Sequence, residues 1–148
     1  MSRTRKRIGV LICNKYTLFR DGLKALFEND SPVEIIGEAS TGQEAIDLVE
    51  KLKPEVVLMD VDLPDLSGFA TMHRILAIDP DAKVLILTLS KNHRGQISRC
   101  LESGAAGQIR RKDRPAQLEA VIMAVVGRRP GRSAMTAGSH FTMGGRRA

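Results

Sequence analysis

The chain has 148 residues, 43% hydrophobic and 27% charged, a length and balance that suit one folded domain with a single core and leave little room for two. No apolar run approaches the ~20 residues that span a bilayer. The opening MSRTRKR leads straight into a short strand-like run, without the longer apolar segment and small-residue cleavage site of a secretory leader, so a cytoplasmic protein with no membrane attachment is expected. The formal charge of +6 resides at the ends: residues 8 to 126 hold 14 Lys and Arg against all 17 Asp and Glu, with four basic residues before them and five after. A folded basic face for nucleic acid is therefore not implied.

Taken in chain order, residues 1–6 are a basic N-terminal end. IGVLIC (8 to 13) is an apolar run of strand length that stops abruptly at Asn14 and Lys15. Phe19, Leu23, Leu26 and Phe27 then recur at helical spacing. VEIIGEA (33 to 39) is a second strand, and Thr41 with Glu44 makes a capping-box pattern ahead of Ala45, Ile46, Val49 and Leu52, a helix that Pro54 closes. EVVLMD (55 to 60) is the third strand, followed by the stripe Phe69, Met72, Leu76; KVLILTLS (83 to 90) is the fourth, followed by Ile97 and Leu101 and a stop at Gly104. The weaker GQIRR (107 to 111) precedes Leu118, Val121, Ile122 and Val125, a last helix ending at Gly127. Residues 128–148 have no apolar period and no helix-turn-helix pattern, and read as a flexible basic linker or tail.

Strands alternating with helices, and apolar on both faces, imply an α/β doubly wound parallel sheet. Five such units fit the flavodoxin-like (βα)5 topology with strand order 2-1-3-4-5, whose functional crevice lies at the carboxyl ends of the strands near strands 1 and 3. That places Asn14, Lys15 and Asp60 together. Cys13 and Cys100 share no metal-ligand spacing and are expected as buried reduced thiols. His73, His93 and His140 are scattered over a helix, a loop and the tail.

Several stretches agree in order and spacing with one family: LFRDGLKALFE after strand 1, GEAS and TGQEAI after strand 2, MDVDLPDLSG after strand 3, ILTLS at strand 4 and ESGAAG before strand 5. Over residues 7–127 the chain strongly resembles a response-regulator receiver domain, the phosphoacceptor module of two-component signalling, and looks most like receivers that precede a LuxR-type helix-turn-helix domain. The resemblance implies Asp60 as phosphoacceptor and Thr88 as the switch hydroxyl. It also implies a Mg²⁺ ion held by an acidic pair after strand 1, by Asp60 and by the carbonyl of Asp62. A hard cation with oxygen ligands offsets the charge of a phosphoryl group arriving at a carboxylate.

Four positions depart from that pattern. Asn14 and Lys15 stand where the acidic pair belongs, Gln108 stands at the switch aromatic on strand 5, and Arg111 stands at the Lys that would pair with the phosphoryl oxygens. An amide is a poorer cation ligand than a carboxylate and an ammonium is none, so neither metal nor other cofactor is expected. Lys15 is expected to reach Asp60 instead, holding it ionised yet uncompetitive as a nucleophile, with Arg111 able to join. The alternative reading for Lys15 is a solvated loop lysine, and for Gln108 an exposed strand residue.

The resulting expectation is a pseudo-receiver: not an enzyme, but a receiver fold acting through a protein partner or self-association, as a monomer or as a dimer through the apolar edge of helices 1 and 5. DNA would be reached only through a domain absent from this chain. The alternative is a conventional Mg²⁺-dependent aspartyl phosphoacceptor switched by a histidine kinase. A third class, a phosphoryl-transfer enzyme built on Asp60, Asp62 and Asp65, would require turnover of a phosphate ester.

Overall fold

The computed structural model describes residues 6–88, 94–110 and 113–127, so the tail 128–148, Arg111, His93 and the last two residues expected in strand 4 lie outside the described residues. The described residues form five parallel strands, β1 (Ile8–Cys13), β2 (Val33–Ala39), β3 (Val56–Asp60), β4 (Lys83–Thr88) and β5 (Gly107–Arg110). The sheet order is β2-β1-β3-β4-β5, the flavodoxin-like order expected from the sequence. Five helices alternate with them: α1 (Thr17–Leu26), α2 (Gly42–Leu52), α3 (Gly68–Ile78), α4 (Arg94–Glu102) and α5 (Pro115–Val125).

The alternation of side chains along a strand divides the core in two. Leu11, Cys13, Val57 and Met59 pack with Met72 and Ile75 of α3 and with Ile97 and Cys100 of α4. Val10, Ile12, Leu58 and Leu85 face the other way, onto Leu23 and Phe27 of the α1 region and Leu118 and Ile122 of α5. Both faces of β1 and β3 are thus covered, and fully burying each such side chain contributes roughly 1.5–3 kcal/mol. Both cysteines are buried and free, as expected.

The helix ends follow local chemistry. The Glu44 N–H donates to the Thr41 hydroxyl at 3.1 Å, while the Glu44 carboxylate accepts from the Ser40 N–H at 2.7 Å, one residue further back than in the usual capping box. Ser67 caps α3 by accepting from the Ala70 N–H at 3.0 Å. Gly104 and Gly127 end α4 and α5 with φ of +132° and +81°, values that favour glycine. Arg7 donates to the carbonyls of Phe27, Ser31 and Val33 at 2.8–3.1 Å, tying the end of α1 to the start of β2.

Two of the apolar positions in the helical stripes are not core. Leu26 is 45% exposed and Leu52 39% exposed; each sits in the last turn of its helix. Among the described residues no helix is long and apolar enough to cross a membrane.

Candidate functional site

β1 and β3 are paired in register, Cys13 opposite Met59, so the residues leaving both strands arrive together at the carboxyl rim. Asp60, the last residue of β3, is 5% exposed, and Asn14 is fully buried. The Asn14 Nδ2 donates to Asp60 Oδ2 at 3.1 Å, and the Asp62 backbone N–H donates to Asp60 Oδ1 at 3.0 Å. A buried carboxylate is costly without such donors. Asn14 Oδ1 accepts the Tyr16 N–H at 2.7 Å. That bond requires an oxygen on this side of the amide and so turns the nitrogen toward Asp60.

The turn that presents Asn14 is held from three sides. The Asn14 N–H donates to the Ala39 carbonyl at 3.0 Å. Arg20 of α1 donates to the Asn14 carbonyl at 2.6 Å, to Glu38 Oε1 at 2.9 Å and to the Thr17 hydroxyl at 3.2 Å. Lys24 Nζ reaches Glu38 Oε2 at 2.6 Å, and this hydrogen bond, against burial and with help from Arg20, holds the Glu38 carboxyl below the usual carboxylate range. Arg20 lies in LFRDGLKALFE and Glu38 in GEAS, two of the stretches that carry the family resemblance, but neither stretch alone shows that the two side chains meet.

Lys15 does not make the expected bond. Its Nζ donates to Asp62 Oδ2 at 3.1 Å, with side-chain exposures of 30% and 52%. Consecutive residues leaving a strand point to opposite sides: Asn14 turns into the crevice, and Lys15 lies across its outer edge, 5.3 Å over the Tyr16 ring. The hydrogen bond to Asp62 raises the Lys15 pKa further, with a smaller coulombic contribution from Asp60, so it stays an ammonium throughout the neutral range.

The β3–α3 loop closes back on itself. The Gly68 N–H donates to the Val61 carbonyl at 3.0 Å, and a Cβ on Gly68 would lie 2.6 Å from the Val61 Cα. Asp65 is turned away from the crevice: its two oxygens accept the Gly42 and Gln43 N–H groups at 2.8 and 3.0 Å, capping α2 from the loop. Burial pushes this carboxyl up, but the backbone donors outweigh that and hold it below its ordinary value. The trio Asp60, Asp62 and Asp65 therefore does not assemble as a phosphoryl-transfer centre. Among the described residues no group of three or more His, Cys, Asp or Glu side chains is placed to hold a metal ion. Cys13 lies below the rim, its thiol pushed up to about 12 by burial first and then by Asp65 and Asp60.

Thr88 reaches the same rim as the last residue of β4, in register with Arg110; its side chain, like all of Arg111, lies outside the described residues. Gln108, in register with Ile86, is half-buried rather than exposed.

A parallel sheet in this order, with the central strand delivering a buried aspartate to a rim closed by its own loop, defines a receiver-type α/β module. The chain belongs to the response regulator receiver domain family, whose model matches residues 10–123. It is similar to the transcriptional regulatory protein DegU of Brevibacillus brevis, 30% identical over 122 residues, covering 82% of this chain and 51% of the relative. It is likewise similar to the response regulator GacA of Pseudomonas aeruginosa, 30% identical over 118 residues, covering 80% and 53%. The chain spans about half the length of these curated relatives. Among solved structures, a LuxR-family two-component response regulator from Aurantimonas sp. SI85-9A1 superposes with a TM-score of 0.74 at 25% identity, covering 89% of this chain and 95% of that one.

Proposed function

We propose that this receiver domain works without Mg²⁺-dependent phosphorylation, contributing to the control of transcription in a cytoplasmic response regulator through contacts with a partner protein or a second copy. The observation that carries this reading is the 3.1 Å bond from the Asn14 amide to Asp60. The seat that the resemblance assigns to a Mg²⁺ ion is a poor fit for one. The Asn14 oxygen is engaged by the Tyr16 N–H, its nitrogen faces Asp60, and the neighbouring group is the Lys15 ammonium on Asp62. A hard cation needs several oxygen ligands at short range, and here an N–H donor and a positive charge occupy the positions of two carboxylates. Asp60 Oδ2, the oxygen turned toward that seat, accepts from the Asn14 amide and so meets an N–H donor where the cation would lie. The output would pass through a separate DNA-binding domain, and no enzymatic turnover is proposed.

The second reading, a conventional phosphoacceptor switched by a histidine kinase, is favoured by the presence of Asp60 and Thr88 at the positions the family pattern requires. A Mg²⁺ titration followed by backbone NMR separates the two. The unaltered protein is expected to show no saturable shift at Asn14, Asp60 or Asp62, and Asn14→Asp combined with Lys15→Asp is expected to create one. Lys15→Ala alone removes repulsion without supplying a ligand and is expected to restore little. Saturable Mg²⁺ shifts at these residues in the unaltered protein would favour the conventional reading.

A further inference from the structure

Ser31, in the turn between α1 and β2, stands 88 residues before Glu119 of α5, yet its Oγ donates to Glu119 Oε2 at 2.9 Å. The same hydroxyl oxygen accepts the Val33 N–H at 3.0 Å, and its single hydrogen is given to the carboxylate. Arg7 Nε donates to the Ser31 carbonyl at 3.1 Å, so the turn is itself held in place. Among the described residues this is the one side-chain hydrogen bond between α5 (Pro115–Val125) and another part of the chain, apart from the local cap at Arg114. The rest of the docking is apolar, with Leu118, Val121, Ile122 and Val125 in one cluster with Leu23 and Phe27. α1 and α2 are fastened more heavily: Arg20 and Lys24 both reach Glu38 of β2, and Asp65 accepts two N–H groups at the start of α2.

A helix satisfies its backbone internally, so α5 can leave the sheet without breaking a strand ladder. β1 and β3 are each paired on both sides and cannot. Local opening is drawn from the elements whose release costs least. We propose that the Ser31–Glu119 bond is a catch for α5: while it is made the helix lies closed on the sheet, and when it is broken α5 opens as a unit ahead of the strands. A hydrogen bond to a carboxylate is stronger than one between neutral groups, so its loss raises the open population by about tenfold. Opening lifts Leu118 and Ile122 off the apolar side chains beneath them, and so regulates how much surface the domain offers to a protein partner. That use of the catch rests on the phosphorylation-independent reading, whereas the opening itself does not.

The test is native-state amide hydrogen exchange on the full chain, comparing the unaltered protein with Ser31→Ala, Glu119→Ala and the double variant. Each single change is expected to speed exchange at Val121, Ile122 and Val125 by about tenfold, with Val57 and Leu58 of β3 unchanged. The double variant is expected to match the single ones rather than multiply them to about a hundredfold, because both changes remove the same bond. Three results would overturn the proposal: β3 amides accelerating as much as those of α5, no acceleration in α5, or single effects that multiply in the double variant. Neither Mg²⁺ nor phosphorylation enters this experiment, so its outcome is separate from that of the reading proposed above.

Discussion

The β1–α1 turn and the β3–α3 loop meet twice across the same rim, and the two meetings differ in kind. On the inside, a neutral amide faces a carboxylate in a site where Asn14 is fully buried and Asp60 is 5% exposed. On the outside, a full ion pair joins Lys15 to Asp62 with 30% and 52% of the side chains exposed. The formally stronger interaction is the less consequential one, because solvent screens exposed charges and their long side chains lose entropy when held, whereas a buried polar group left unpaired bears its whole desolvation cost. The inner bond is therefore expected to set the stability and chemistry of the site, and the outer pair to be dispensable.

Removing the inner donor sharpens that contrast most. Asn14→Leu leaves the Asp60 carboxylate and the Tyr16 N–H without their shared partner, and a loss of about 2–4 kcal/mol in urea unfolding is expected. Asn14→Asp instead sets two carboxylates within hydrogen-bonding distance. Ionising both is unfavourable, so one carboxyl pKa rises in the folded state, and the variant is expected to gain stability, relative to the unaltered protein, as pH falls from 7 toward 5. A smaller loss, about 1–3 kcal/mol, is expected from Gly68→Ala, because its Cβ would meet the Val61 backbone at 2.6 Å and displace the loop that carries Asp62.

Glu38 tests the support rather than the contact. Its carboxyl lies below its ordinary value of 4.5, held there chiefly by Lys24 and also by Arg20. A depressed carboxyl contributes stability that is fully present above pH 4.5 and lost as pH falls through its lower folded-state value. The unaltered protein should thus lose stability more steeply than Glu38→Gln over that acidic range, and the two curves should converge at its lower end. The smallest effect is expected from Lys15→Ala, whose unfolding midpoint should match the unaltered protein within error at both low and high salt; a clear drop would make the outer pair structural and break the comparison.

The fold was legible because its signals are local. β1 and β2 fall on the residues where apolar runs begin and end, and Thr41, Gly104 and Gly127 mark helix ends through chemistry that needs no tertiary partner. The site was legible only in part. The order of motifs brought Asn14, Lys15 and Asp60 to one rim, but which of the two neighbours would meet Asp60 depended on the direction each side chain takes on leaving β1. Strand alternation contained that signal, and charge attraction alone pointed to the wrong one. Asp65 joining the start of α2, and Arg20 joining Glu38 to the Asn14 carbonyl, span 22 to 23 and 6 to 18 residues, and no spacing rule reaches them. Helical spacing puts Leu26 on the apolar stripe of α1 without indicating that it is 45% exposed.

The most direct test of phosphorylation-independent action is intact-mass measurement of the unaltered protein after incubation with Mg²⁺ and acetyl phosphate, alongside Asp60→Asn. The expected result is an unchanged mass for both proteins. A stoichiometric gain of one phosphoryl group that disappears in Asp60→Asn would contradict it and establish Asp60 as a working acceptor.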